Sequence, residues 1–242
     1  MYGWRARLGI LVPSAIIATE PEFSLMTPEG VSCHHHRFAF IGGKSNEEIV
    51  RRLKKAEDHI ADASEIITHV RPDVVAMTGT GVSFIGGYGY DQMLIKKMKE
   101  RNGNLPTTTT TTSVIDALRK LEIKNVSIAM PYVEQVSKTV VKFVEDSGVK
   151  VLNARWLNKG GPDIAEVSKE TLYNLVKEVD DPDSEAIFIS CTDLHTIEII
   201  EKLENDLQKP VISSNQATMW NMLRLANIND KIQGYGQLLS KY

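Results

Sequence analysis

Cys191 is the residue of this sequence best suited to proton transfer. It follows the apolar run Ala186–Ile189, which predicts a buried strand, and it precedes Thr192 and helical residues from about Thr196. Backbone N–H groups near the start of a helix favour a developing anion, so a thiol in this place can exchange protons. The alternative is that Cys191 is a small buried hydrophobe, which is the commonest state of a free cysteine.

Histidines offer two further candidates for chemistry. His195, four residues after Cys191, either tunes the thiol or serves as a second acid/base, unless it is simply an exposed histidine in the first turn of a helix. The run Cys33-His34-His35-His36 contains the ligand types of a metal site. Because alternate side chains of a strand point to opposite faces, the run is split into pairs, and we expect no metal.

The strand before Cys191 has a counterpart in the first half of the chain. Residues 74–81 (VVAMTGTG) and 186–193 (AIFISCTD) are each an apolar run that ends in a small polar loop. A proline, a short strand and a helix follow each of them, at residues 105–119 and 209–224. This internal duplication gives Gly79 the position equivalent to Cys191. Gly79-Thr80-Gly81 predicts no dinucleotide cofactor, because Phe84 replaces the last glycine of Gly-x-Gly-x-x-Gly.

Apolar runs of strand length alternate with helical patterns, which is typical of βαβ units and a parallel sheet. The predicted strands are Leu8–Val12, His35–Phe40, Val74–Met77, Thr107–Thr110, Val126–Met130, Val151–Trp156, Ala186–Ile189 and Val211–Ser213. A capping box at Ser45-Asn46-Glu47-Glu48 predicts a helix over Glu47–His69, and Ser168 opens another that runs to Val179.

The predicted fold class is α/β, with two pseudo-symmetric halves that are each a mostly parallel sheet flanked by helices. Residues 1–112 plus 215–242 are predicted to form the first half, and residues 113–214 the second. Ligands of open parallel sheets bind at the carboxyl ends of the strands, so the active site is expected in the cleft between the halves.

Composition and charge exclude several classes of partner. The 242 residues are 42% hydrophobic and 24% charged, which is typical of a globular protein. A net charge of -3 gives no electrostatic footprint for nucleic acid. The apolar run Leu8–Val12 ends at Pro13 and is too short for a signal peptide or a membrane span. Two distant cysteines indicate a reducing compartment, so we expect a cytoplasmic protein with no membrane partner.

Five segments carry a resemblance to a known family: VVAMTGTGVSF (74–84), AMPYVEQV (129–136), FISCTDL (188–194), VISSNQA (211–217) and GYGQLL (234–239). They resemble the aspartate/glutamate racemase superfamily, in the branch of arylmalonate decarboxylase and maleate cis-trans isomerase. The resemblance implies two facing halves and no cofactor, with one thiol from each half in the racemases and in maleate isomerase. Here Gly79 stands in place of the first thiol, as in arylmalonate decarboxylase, and Ile16 replaces an asparagine of the isomerase.

The resemblance also implies which residues form the site. Cys191, Tyr132 and Thr80 are the expected catalytic residues, with the N–H groups of Gly81 and Thr192 as further oxyanion donors; Gly81 replaces a serine of the decarboxylase. The expected substrate-binding residues are Pro13, Ser14, Gly79, Gly81, Val82, Thr192, Ser213, Ser214 and Asn215. Simpler roles stay open: Tyr132 as an interfacial aromatic, Thr80 as a turn residue, and residues 213–216 as a helix cap.

Decarboxylation of a malonate-like acid is the leading functional hypothesis. It generates an enediolate without a base, and one thiol then protonates one face of the carbon, whereas two-base racemisation needs a group on each face. One alternative is a maleate cis-trans isomerase or an amino-acid or hydantoin-type racemase, in which His195 or a substrate group replaces the missing thiol. Another is a non-catalytic carboxylate-binding relative. The expected partner is a small carboxylic or dicarboxylic acid, with a homo-oligomer left open.

Overall fold

The frame of the molecule is a pair of four-stranded parallel sheets. A computed structural model describes residues 2–41 and 46–242. The strand order is β2-β1-β3-β4 in the first sheet and β6-β5-β7-β8 in the second, and every strand pair is parallel. The strands are β1 (Ala6–Pro13), β2 (Val31–Phe38), β3 (Val74–Met77), β4 (Thr107–Thr109), β5 (Asn125–Met130), β6 (Lys150–Trp156), β7 (Ala186–Ile189) and β8 (Val211–Ser213).

Helices connect and cover these strands. They are α1 (Thr19–Met26), α2 (Asn46–Ile66), α3 (Thr80–Phe84), α4 (Tyr90–Arg101), α5 (Thr110–Lys120), α6 (Glu134–Asp146), α7 (Lys169–Val179), α8 (Ile197–Leu207), α9 (Ser214–Leu225) and α10 (Gln237–Lys241), with 3-10 turns at Ile67–Val70 and Gly161–Ile164. The cap predicted for α7 is confirmed, because the Ser168 hydroxyl accepts a hydrogen bond from the Thr171 N–H. Ser45, the predicted cap of α2, lies outside the described residues.

The duplication predicted from the sequence is confirmed by the identical strand order of the two sheets. The central strands are buried on both faces and consist of apolar residues, as in Val74–Met77 and Ala186–Ile189. The prediction for β2 was wrong by several residues, since the strand covers Val31–Phe38 and not His35–Phe40. Pairing with β1 from Ala6↔Val31 onwards fixes its start, and the polar side chains of β2 conceal this pairing in the sequence.

Helices α5 and α9 join the two halves. They pack against each other, and α9 contacts β3 and β4 of the first sheet as well as β8 of the second. The Thr218 hydroxyl of α9 donates to the Thr110 hydroxyl of α5 at 3.1 Å. The domain boundaries given above stay a prediction. No helix within the described part of the chain combines the length and apolarity that crossing a membrane requires.

Candidate active site

A cavity of about 90 Å³ lies where the carboxyl ends of four strands meet, β1 and β3 from one sheet and β5 and β7 from the other. Such ends are the usual ligand sites of open parallel sheets. The lining residues are Pro13, Ala15, Ile16, Phe40, Gly79, Thr80, Gly81, Val82, Tyr132, Gly161, Ile164, Cys191, Thr192 and Asp193. The fold therefore brings together all three predicted catalytic residues and five of the predicted binding residues.

The backbone at Cys191 is in an unusual conformation. Its φ is 134°, whereas the other non-glycine residues with positive φ in the described chain lie between 51° and 62°. A residue with a Cβ stores about 1–3 kcal/mol of strain in such a region, and strain of this kind clusters at functional sites. Gly79, at the equivalent position of the first half, has a φ of 107°. The two loops thus share a backbone bend, and only the second carries a thiol.

Burial keeps the Cys191 thiol and the Tyr132 phenol of the cavity protonated. It raises the pKa of the Cys191 thiol to about 12, although the Asp193 N–H, which donates to Sγ at 3.4 Å, partly opposes this. Burial also raises the pKa of Tyr132 well above the usual value of a phenol. At neutral pH both groups are therefore protonated, and the phenol is a neutral hydrogen-bond donor.

Two buried hydroxyl groups of the cavity wall lack a hydrogen-bond partner within the described chain, those of Tyr132 and Thr192. Ser190, Cys191 and Thr80 lie close enough to influence the pKa of the Tyr132 phenol, but none of them meets the geometry of a hydrogen bond to its hydroxyl. A buried polar group left unpaired costs about 1–3 kcal/mol. Unpaired donors around a thiol are what an oxyanion site requires before its ligand binds.

Ser214 connects the two loops from behind the cavity wall. Its hydroxyl accepts a hydrogen bond from the Cys191 N–H at 3.1 Å and bonds to the Thr80 hydroxyl at 2.8 Å. Ser214 does not itself line the cavity. It was predicted to bind substrate, and the structure instead gives it the place of a support for both loops.

Four other candidates also lie off the cavity wall and use their side chains elsewhere. Ser213 caps α9 by accepting from the Gln216 N–H, so the capping role predicted for it is the one present. The Ser14 hydroxyl donates to a backbone carbonyl at 3.2 Å. His195 Nε2 lies 3.2 Å from the Ala165 carbonyl oxygen, and His195 does not line the cavity. It is therefore not placed to act as a second acid/base there.

Asn215, the last of these candidates, belongs to a hydrogen-bond network that the sequence did not predict. Its amide donates to Glu22 Oε2 at 2.7 Å and to the Thr192 carbonyl at 3.0 Å. Glu22 also accepts from the Thr196 and Ile197 N–H groups at the start of α8. Burial raises the pKa of Glu22. Glu22, from the first half, thus helps to hold the segment between β7 and α8, which carries Cys191.

Four apolar lining residues also escaped the sequence prediction: Ala15, Phe40, Gly161 and Ile164. No motif marks them, because they come from connecting segments that only the tertiary fold brings to the cavity. Cys33 lies outside it on β2, with Sγ 3.1 Å from the Thr27 hydroxyl. Among the described residues, no three side chains of the metal-binding types cluster.

Comparison with known proteins assigns the family. The arylmalonate decarboxylase family matches residues 8–239. Arylmalonate decarboxylase of Bordetella bronchiseptica is 32% identical over 195 residues, which cover 76% of this chain and 81% of that protein. The maleate isomerase of Pseudomonas putida S16 superposes with a TM-score of 0.90, at 25% identity and 98% coverage of both chains. A liganded Gly-to-Cys, Cys-to-Ser double variant of arylmalonate decarboxylase gives a TM-score of 0.88 at 26% identity, covering 98% of this chain and 100% of that one. The chain belongs to the arylmalonate decarboxylase family, and it is a decarboxylase or an isomerase of the aspartate/glutamate racemase superfamily.

Proposed function

We propose that this enzyme decarboxylates a malonate-like dicarboxylic acid and that Cys191 delivers the proton. One observation carries the proposal: of the described residues that line the cavity, one carries a thiol, which is protonated, and Gly79 lies at the equivalent place of the facing loop. One thiol suffices to protonate one face of a carbanion, whereas proton exchange on both faces requires two groups.

The reaction needs few groups. The bond between the α-carbon and one carboxylate breaks, CO₂ leaves, and the electron pair passes into the remaining carboxylate as an enediolate. The Cys191 S–H then protonates the α-carbon, and the thiolate regains a proton from solvent. A thiol with a pKa of about 12 is present as the acid at neutral pH, which suits this role better than that of a nucleophile.

The unpaired hydroxyls of Tyr132 and Thr192 supply donors for the enediolate oxygens. The Thr80 hydroxyl also lines the cavity, where the Ser214 hydroxyl orients it. Hydrogen-bond donors that already point to the oxygens where negative charge develops lower the activation barrier by several kcal/mol, because they need not reorient during the reaction.

The apolar lining supports the loss of a carboxylate. Ile16, Phe40, Val82 and Ile164 form much of the wall. A carboxylate held against such side chains loses hydration, and its departure as CO₂ removes the unfavourable charge. The same side chains suit an aryl or alkyl substituent on the α-carbon.

Isomerisation of maleate is the second candidate, favoured by the similarity to the Pseudomonas putida isomerase over 98% of the chain. Three features argue against it: the apolar Ile16 in the cavity wall, the protonated state of Cys191, and the absence of a second thiol among the lining residues that the structure describes.

A substrate panel separates these candidates. Purified protein is incubated with aryl- and alkylmalonates, with maleate, and with D- and L-amino acids, and both CO₂ release and isomerisation are measured. We expect CO₂ from the malonates, none from Cys191→Ser, and undiminished release from Cys33→Ser, whose thiol lies outside the cavity. Isomerisation of maleate or racemisation of an amino acid, without CO₂ from any malonate, would contradict the proposal.

A further inference from the structure

Asp193 gives the cavity a negative charge that helps to keep Cys191 protonated but has no other part in the proposed reaction. It is the only Asp, Glu, Lys, Arg or His among the described lining residues. The residue is only 6% exposed, so bulk solvent screens its carboxylate little, and the carboxylate interacts mainly with a ligand in the cavity. In such surroundings a charge interacts more strongly than it does in water.

Within the described part of the chain, hydrogen bonds reach only one oxygen of this carboxylate. Oδ1 accepts hydrogen bonds from the Ile17 N–H at 2.8 Å and the Ala18 N–H at 3.3 Å. Oδ2 forms no hydrogen bond with any described residue. Unlike the Tyr132 and Thr192 hydroxyl oxygens, it is not completely buried. The side chain is therefore fixed by one oxygen and presents the other as a free acceptor.

The groups around Asp193 set its charge. Burial raises its pKa, whereas the two N–H donors and the side chains of His195 and Arg37 favour the charged form. Arg37 does not cover the carboxylate, because its guanidinium donates to Glu20 Oε1 and to the Ser14 and Ile16 carbonyls. The carboxylate thus keeps its capacity to accept a hydrogen bond from a ligand.

We infer that Asp193 is a specificity-determining residue, and that the preferred substrate is a malonate whose α-substituent carries a hydrogen-bond donor, an ammonium or a hydroxyl group. This inference rests on the proposed decarboxylation. A donor on the substituent pairs with the free oxygen, and an ammonium group also offsets one negative charge of the dianion. A substituent without a donor leaves Asp193 Oδ2 unpaired. It also leaves the two negative substrate carboxylates near the Asp193 carboxylate with no positive charge to offset the repulsion.

Three malonates of nearly equal size test the inference: methylmalonate, hydroxymalonate and aminomalonate. Their decarboxylation is followed by CO₂ release, with enzyme-free rates subtracted. A charge-assisted hydrogen bond contributes enough to change a rate by about tenfold or more. We therefore expect kcat/KM of the wild type for aminomalonate to exceed that for methylmalonate by about tenfold, with hydroxymalonate between them.

Asp193→Asn is the matched variant, because its amide oxygen still accepts from the Ile17 and Ala18 N–H groups while the charge is lost. We expect kcat/KM to fall for aminomalonate and to rise for methylmalonate. A merely structural role would lower both values, and that result would overturn the inference. If the wild type decarboxylated all three acids without a preference, this inference would be overturned while the proposed decarboxylation would stand. No decarboxylation of any malonate by the wild type would overturn the proposed function and, with it, this inference.

Discussion

Backbone strain at Cys191 leads to a prediction about stability that does not depend on the substrate. We compare Cys191→Ala with Cys191→Gly, both of which lack the thiol. At ordinary positions glycine is less stable than alanine by about 0.5–1 kcal/mol, because its unfolded chain is more flexible. At a φ of 134° the order should reverse, since alanine keeps the Cβ that causes the strain.

The magnitude follows from two opposing contributions. Relief of strain favours glycine by about 1–3 kcal/mol, and the entropy of the unfolded chain opposes it by about 0.5–1 kcal/mol. Cys191→Gly should therefore be the more stable variant by about 1 kcal/mol, which raises Tm by about 2–4 °C in a chain of this length. Urea unfolding and calorimetry measure the difference.

Ala129→Gly serves as the control, since Ala129 lies buried in the extended strand β5. It should lose at least about 0.5–1 kcal/mol of unfolding free energy. If Cys191→Ala proved as stable as Cys191→Gly, or more stable, the loop would carry no strain at the thiol and the reasoning would be refuted.

Three further predictions concern the thiol and the loops that hold it. Gly79→Cys, with neighbouring side chains 3.0 Å from the new Cβ, should lose about 1–3 kcal/mol of stability yet gain exchange of the α-hydrogen in D₂O and give product of lower enantiomeric purity; a folded variant without exchange would argue against facing loops. With the thiol pKa near 12, kcat should show no loss attributable to Cys191 between about pH 6 and 9; inactivation with a midpoint near that of a free thiol would contradict the buried acid. Glu22→Gln places an amide against that of Asn215 and should lower kcat more than it alters KM, with a loss of about 1–3 kcal/mol in urea unfolding; unchanged kinetics would remove Glu22 from the positioning of the loop.

Much of the fold was predictable because the sequence repeats it. The apolar runs before Gly79 and Cys191 predicted β3 and β7 at their observed bounds, and the self-similarity implied a second, similar sheet, whose strand order the structure supplies. Ligands of open parallel sheets bind at the carboxyl ends of the strands, and the loops at these two residues follow such ends in the two halves, so the sequence predicts that both line one cleft between the halves.

Residues that act through distant partners were not predictable in this way. Glu22 bonds to the Thr196 N–H across 174 residues of sequence, and no spacing or periodicity records such a contact. Ser213, Ser214 and Asn215 were placed at the right strand end, yet their side chains turn to the α9 cap, the two loops and Glu22 rather than to the cavity. Sequence locates a strand end, whereas side-chain direction depends on the tertiary hydrogen bonds available there.

The stereochemistry of proton delivery tests the central claim most directly. Decarboxylation of 2-methyl-2-phenylmalonate in D₂O is followed by chiral chromatography and mass spectrometry, with wild type, Cys191→Ser and, as the control, Cys33→Ser. A single donor on one face predicts one enantiomer of singly deuterated 2-phenylpropionate from the wild type and from Cys33→Ser. Cys191→Ser should be nearly inactive, because its hydroxyl is too weak an acid. A racemic product, or turnover by Cys191→Ser above about a tenth of wild type, would contradict Cys191 as the proton donor.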